Sequence, residues 1–305
     1  MIDTLNIRLY KPAAERDPLQ IGQYINVSKS GCYAASGEPF IVGHIGCYRV
    51  YADSRQVRLS GSVARLVHGE NVSDPTRKEV AEGVQWLSDA LHLNVGRGDV
   101  CRVDVAHTFN LPAPTEQYIS QMASRGDAPR VAIGENTLYL ASNARWLCFY
   151  DKQAEMASRG EEMPPAWAEC QNLLRYEMRI VENVSAQVGA VKVSDITKPQ
   201  PWARLVNMWA NDFRAIKTAT MERIRTSSTP KEAFNAIFAD LLQYAPANYL
   251  PDVLMMIKKS GAIRERQRRG ELKKMIEKAI NGCNSSLISQ LNADVERVRT
   301  AAVNV

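Results

Sequence analysis

The sequence predicts an α+β protein: an antiparallel sheet with helices packed on one face, followed by a helical C-terminal domain. Three observations carry this expectation. Short β-rich runs bounded by Gly, Asn, Asp or Pro dominate residues 1–190. Single helical patterns separate strands that come in twos and threes, the spacing of an antiparallel rather than a strictly alternating parallel sheet. At "SDITKPQPW" two prolines, Pro199 and Pro201, interrupt the pattern, and almost everything beyond reads as helix.

Taken in order, "IDTLNIRLY" opens with a period of two, and "PFIVGHIGCYRVYA" and "RQVRLSGS" continue in strands. Leu59 is read as the end of a strand, Ser60–Ser62 as a turn and Val63–His68 as a short helix. Small residues before a helix expose N–H groups that can hold a phosphate, although a tight connection without a ligand needs the same residues. "PTRKEVAEGVQWLSDALHL" is a helix with Pro75 in its first turn and Val80, Val84, Leu87 and Leu91 at helical spacing. "CRVDVAHTFNL" returns to strand and "PTEQYISQMASR" to helix; "PRVAI", "TLYLAS", "RWLCFYDK" and "LLRYEMRIV" complete the strands. Further on, "WARLVNMWANDFRAIK", "TPKEAFNAIFADLLQYA" and "GELKKMIEKAI" are amphipathic, with a capping box at Thr229–Glu232. The expected division is a sheet domain over 1–196 and a helical, basic domain over 197–305. "MIDTLNIRL" and "CRVDVAHTF" each place an aspartate early in an alternating strand, a weak echo of two related half-sheets.

The 305 residues are 45% hydrophobic and 23% charged, a globular composition. No apolar run approaches the roughly 20 residues that span a bilayer. The first residues alternate, with an acid at position 3, unlike a secretory signal, so the expected place is the cytoplasm. Six scattered cysteines form no CxxC and no pairing with the four histidines, which points to reduced, buried thiols rather than zinc. Between Met256 and Ile280 nine basic residues face three glutamates: Lys258, Lys259, Arg264, Arg266, Arg268, Arg269, Lys273, Lys274 and Lys278. That surplus exceeds the net charge of +5 of the whole chain. A run of this kind is commonly a solvated helix face, but its localisation favours a phosphate-binding surface.

Three strands carry residues suited to chemistry. In "CRVDVAHTF", Arg102, Asp104 and Ala106 share one face while Val103, Val105 and His107 share the other. In "LLRYEMRIV", Arg175, Glu177 and Arg179 line one face and Tyr176 and Met178 the other. A carboxylate in a strand centre is costly to bury unpaired. Either Asp104 and Glu177 belong to Arg–carboxylate ladders, or they converge on a hard divalent cation such as Mg2+ or Mn2+, with Arg175 and Arg179 placed for phosphate. "LCFYDK" ends a strand on Tyr150; if the strand ran through Lys152, both would share a face, and Glu155 would follow in the next turn. A strand-ending tyrosine is ordinarily a half-buried aromatic, whereas a neighbouring ammonium would favour the phenolate and make a nucleophile.

Taken together, "MIDTLNIRL", "LSGSVARLVHGENV", "RVDVAHTF", "NTLYLAS", "FYDKQAEM" and "LRYEMRI" resemble, in that order, the filamentous-phage replication initiators of the gene II and gene X family and related rolling-circle plasmid initiators. The resemblance implies a rolling-circle nickase-like fold and a metal-dependent, site-specific DNA endonuclease and strand transferase. A tyrosine would attack the plus strand at a double-stranded origin, remain on the 5′ phosphate, leave a 3′ hydroxyl primer and later rejoin the displaced single strand. It assigns Tyr150 as nucleophile with Tyr176 as rival, and Lys152 to steady the phosphate or phenolate. Glu155 would serve as acid/base or organiser of Lys152. Asp104, Glu177 and His107 would be metal ligands, and Arg102, Arg175, Arg179 and the basic C-terminal run would contact DNA. None of His44, His68, His92 and His107 forms the His-hydrophobe-His motif of many such nickases, so a metal site would be carboxylate-rich. The implied partners are DNA, a host helicase and polymerase, and a second copy of the chain on the origin, in the bacterial host's cytoplasm. The alternative is a non-catalytic DNA-binding regulator of phage replication, which would need none of Asp104, Tyr150, Lys152 and Glu177.

Overall fold

The computed structural model describes residues 1–10, 18–125, 130–134, 136–142, 144–189, 192–218, 229 and 286–303. Among them one antiparallel sheet of ten strands dominates, in the order β2-β3-β4-β5-β1-β6-β11-β10-β9-β8. The strands of its first half are β1 (Ile2–Tyr10), β2 (Asn26–Cys32), β3 (Pro39–Ile45), β4 (Tyr48–Asp53) and β5 (Gln56–Ser62). The second half holds β6 (Asp99–Asn110), β8 (Arg130–Ile133), β9 (Thr137–Ala141), β10 (Arg145–Asp151) and β11 (Leu173–Ile180). A short β7 (Met122–Arg125) pairs separately with β12 (Ile216–Thr218).

The two halves follow the same path. In each, the first strand lies at the sheet centre, the last strand lies beside it, and the others run outward in reverse order. β1 and β6, the strands whose sequences echo each other, occupy equivalent places and pair at the seam. The halves differ in one connection. Ser54 and Arg55 alone join β4 to β5, whereas β10 and β11 are separated by helix α5 (Lys152–Ser158) and the segment to residue 172.

Alternation sorts the sheet into two faces. Leu5, Ile7, Val50, Val57, Leu59, Val103, Val105, Leu147, Phe149, Tyr176, Met178 and Ile180 form a continuous apolar face, all buried. Helix α3 (Arg77–Leu91) contributes Val80, Val84, Leu87 and Leu91 to this core. Its start is set by a capping box between Thr76 and Glu79, so Pro75 precedes the cap instead of sitting in the first turn. Helix α8 (Pro199–Arg214) lays Trp209 against Tyr176, with ring centroids 5.0 Å apart, and the C-terminal helix Ser286–Val303 packs on α8. Trp202 donates its indole N–H to the Ala302 carbonyl at 2.9 Å, and Ile288, Leu291 and Val295 belong to the sheet's own core. Residues 199–214 and 286–303, expected in a separate helical domain, thus share one core with the sheet.

Some local expectations change. Ser60–Ser62 do not turn: β5 continues through Ser62, with Gly61 opposite Leu5 of β1, and helix α2 (Val63–His68) starts at once. The Ser62 Oγ accepts the Arg65 N–H at 3.1 Å, so this short helix caps itself. β2 carries no alternating apolar pattern and is exposed along its length, which is why its polar sequence does not announce a strand. Of the described cysteines, only Cys148 is buried; Cys32 and Cys47 are exposed. Apart from Thr229, the helices expected over 229–280 and the basic run Lys258–Lys278 lie outside the described residues. Among the described residues no helix is long and apolar enough to cross a membrane.

Gly61 is a close-approach glycine, because a Cβ there would lie 2.7 Å from the Tyr48 ring, itself fully buried. Gly61→Ala should therefore destabilise the fold by about 1–3 kcal/mol, read as a lower urea midpoint at unchanged slope. A midpoint equal to wild type would show that Tyr48 moves aside freely.

Candidate active site

On the opposite, polar face, the centre of the second half-sheet holds a dense ionic cluster. Register places Arg175 opposite Thr108, Glu177 opposite Ala106 and Arg179 opposite Asp104, so the polar alternates of β6 and β11 share a face. β10 adds Cys148 opposite Glu177 and Tyr150 opposite Arg175. Tyr150 and Glu177 are diagonal neighbours, and the Tyr150 hydroxyl donates to Glu177 Oε1 at 2.6 Å.

Glu177 is buried and accepts from three directions. Arg179 Nη2 and Nε lie 2.7 and 3.0 Å from its Oε2, and Arg175 Nε lies 3.4 Å from Oε1. Burial works against its charge, but Arg179 and Arg175 outweigh it and hold the carboxyl down at about 2. Arg175, 1% exposed, also donates to Thr108 at 3.0 Å and pairs with Asp3 at 3.3 Å. Asp3 sits at a bulge where the β1–β6 register shifts between Ile2 and Thr4, and also accepts the Ser62 hydroxyl at 3.0 Å. Asp104 takes two bonds from Arg102, at 2.8 and 2.6 Å, with Arg179 3.9 Å away.

Tyr150 is half-buried and opens into a cleft of about 300 Å³ lined by Thr137, Tyr139, Glu155, Arg159 and Arg179. Burial and the adjacent Glu177 carboxylate push its hydroxyl well above the usual tyrosine range. The expected ammonium effect is absent for a geometric reason. β10 ends at Asp151, whose side chain caps the next helix, so Lys152 begins α5 instead of extending the strand. Its side chain is fully buried, its Nζ donates to Asn71 at 2.9 Å and Glu155 at 2.8 Å, and it lies 6.0 Å from the Tyr150 ring centroid. Burial, then the nearby Arg175, lowers its pKa. Lys152 thus braces Glu155, which also meets Arg159 at 2.7 Å on the cleft wall.

The arrangement brings together Tyr150, Glu177, Arg175, Arg179, Asp104 and Arg102, with Glu155 at the cleft and Lys152 behind it. It leaves His107 out: alternation puts that ring on the apolar face, where Nδ1 meets Asp74 at 2.5 Å and the ring stands edge-on to Phe109. Tyr176 is also excluded from the cleft, since it is fully buried and donates to the Trp209 carbonyl at 2.9 Å. As arranged, the donor set does not fit a divalent cation. Asp104 and Glu177 are each taken up by arginine, and among the described residues no three His, Cys, Asp or Glu side chains converge. Asp3 and Asn71 were not singled out by sequence. Both lie in stretches that carry the family resemblance, and a second alternating strand with an acid near its start was the available signal for Asp3.

The two neighbouring carboxyls are pushed apart. Burial raises Asp104 to about 6, and the bonds from Arg102 only partly offset it. Folding thus favours the protonated Asp104, and that contribution to stability is present below the ordinary 3.8 and is lost as pH rises through about 6. Glu177 acts the other way, stabilising above its ordinary 4.5 and losing that contribution as pH falls toward 2. Carboxyl-detected NMR should find Asp104 titrating well above Glu177, and Asp104→Asn should remove the loss of stability between pH 4 and 6. Coincident titrations near pH 4 would contradict this electrostatic picture.

Comparison with curated proteins finds no match. The family model for the N-terminal region of the phage replication-associated protein, the gene II product, matches residues 1–202. That span contains the whole ten-stranded sheet and every side chain of the site above. The ordered motifs, the sheet that carries them and this match agree, and the chain belongs to that family of phage replication-associated proteins.

Proposed function

We propose that this replication initiator cuts one DNA strand by attack of Tyr150 on a backbone phosphate. The single observation that carries the reading is the 2.6 Å hydrogen bond from the Tyr150 hydroxyl to Glu177 at the mouth of a cleft walled by Arg159 and Arg179. A tyrosine held neutral needs a base at the moment of attack, and Glu177 is in contact with its proton.

In the proposed step the phosphate enters the cleft and draws Arg179 toward its oxygens. Arg179 leaves Glu177 with less stabilisation of its anion, which raises the basicity of that carboxylate. Glu177 takes the proton as the phenolic oxygen bonds to phosphorus, and the bond from phosphorus to the 3′ oxygen breaks. The 3′ oxygen leaves with the electron pair and is protonated by water in the open cleft. A 5′-phosphotyrosine and a 3′ hydroxyl remain, the latter a primer for a host polymerase. Attack of a later 3′ hydroxyl on the phosphotyrosine reverses the chemistry and joins the displaced strand. Arg159 and Arg179 supply positive charge where the phosphoryl oxygens gain negative charge. Lys152 and Asn71 act from behind by fixing Glu155, and Arg175 by orienting Glu177.

The test is incubation with supercoiled origin DNA, with magnesium, with manganese and with a chelator, followed by detection of nicked circles carrying protein on the 5′ end. Tyr150→Phe should abolish the adduct while leaving DNA binding intact, and Glu177→Gln should slow it by about 10²–10⁴. Normal adduct formation by Tyr150→Phe refutes the nucleophile. Wild-type protein that binds the origin and never nicks it under any of the three conditions favours the non-catalytic regulator.

A further inference from the structure

The polar face of the first half-sheet carries chemistry that the cleft does not use. Beyond Arg102 it continues without a break across β1, β5, β4 and β3 to β2, because Asn6 pairs Arg102 and Ser60 pairs both Asn6 and Arg49. With only Ser54 and Arg55 between β4 and β5, this half lacks the insertion that covers the second half, and Arg49, Arg58 and Ser60 are exposed.

Cations and rings alternate over this face. Arg8 lies 5.9 Å from the Tyr10 ring centroid, Arg58 5.5 Å from that of Tyr51, and Lys29 5.8 Å from that of Phe40. Tyr10 is 62% exposed, and Arg8 Nε is buried without a hydrogen-bond partner. The acids on this face are all paired: Asp104 with Arg102, Glu177 with Arg179, Asp3 with Arg175, and the partly exposed Asp99, opposite Arg8, with Lys192, while Asp53 is bonded by Tyr51 and by the N–H groups of Arg55 and Gln56. Nothing in a packed sheet requires three cation–ring pairs on one open face.

We infer that the open face of β1–β5 is a track for single-stranded DNA, running from the Tyr150 cleft toward β2. Phosphates need the cations and unstacked bases need ring faces, which a duplex cannot offer because its bases are already stacked. On binding, each guanidinium or ammonium swings from its ring to a phosphate and a base takes its place. Seven strand steps of about 4.8 Å separate β10 from β2, roughly 34 Å, a length suited to a strand of several nucleotides. The assignment deepens, and rests on, the reading of the protein as an initiator that handles one DNA strand.

Fluorescence anisotropy of the full chain with a labelled oligothymidylate of about 16 nucleotides tests it, against a duplex of equal length lacking the origin. Tyr10→Ala/Phe40→Ala should weaken single-strand binding by at least about fivefold. Lys29→Ala/Arg58→Ala, both at exposed cations, should lower the slope of log affinity against log salt by about 1.4. Circular dichroism melting qualifies each variant, and the cation pair decides the matter if the ring pair melts early. Duplex binding as tight as single-strand binding in the wild type overturns the track, as does an unchanged salt slope in the cation pair. The assay reads binding of an oligonucleotide and not cleavage, so a failed nucleophile assignment leaves this result readable on its own.

Discussion

Arg175 is the group on which the rest depends. A guanidinium almost wholly removed from water stands where the two half-sheets meet, and it ties Asp3 of β1, Thr108 of β6 and Glu177 of its own strand. Burying such a charge is costly, and removing one partner of a buried ion pair typically costs about 3–5 kcal/mol because the other is left uncompensated. Each partner is supplied by a different part of the chain, so the cluster forms only when β1, β6 and β11 are all in register. The same contacts aim Glu177 at the Tyr150 hydroxyl. Fold and site are therefore one ionic network, and the half-sheet seam is where it closes.

The likeness of the halves makes their difference informative. Both follow the same strand path, yet only the second carries the α5 insertion, and α5 delivers Lys152 and Glu155 and walls the cleft with Arg159. The first half keeps its connection short and its polar face open. A repeated scaffold has one half built up around a cleft and the other left as an open surface, a division that the proposed cutting and holding of a strand would use. The buried electrostatics agree with a site at rest: Tyr150 is neutral, Glu177 is ionised and its arginines are in place. In the proposed reaction, arriving phosphate charge redistributes those arginines.

Much of this was legible in the sequence. Alternation by itself put Arg175, Glu177 and Arg179 on one face of a strand, Arg102 and Asp104 on one face of another, and both His107 and Tyr176 on the other side. The helical spacing of Val80, Val84, Leu87 and Leu91 located α3, and the aspartates of the first and sixth strands hinted at equivalent halves. The strand expectation failed at β2, where no apolar face is buried and no alternation is needed. The turn expected at Ser60–Ser62 failed because Gly61 serves a close packing contact with Tyr48 rather than a reversal of the chain.

What sequence by itself determined is the set of faces, since side-chain direction along a strand is a local property with a period of two. Which faces meet, and at what offset, was decided only by tertiary structure, because register between strands far apart in the chain is set by long-range packing. That offset placed Tyr150 diagonal to Glu177 and within 2.6 Å of it. Tertiary structure also ended β10 one residue before Lys152, which turned an expected activator of the tyrosine into a buried brace for Glu155. And it brought Asp3 and Asn71, distant from each other in sequence, to the positions from which they hold Arg175 and Lys152 in place.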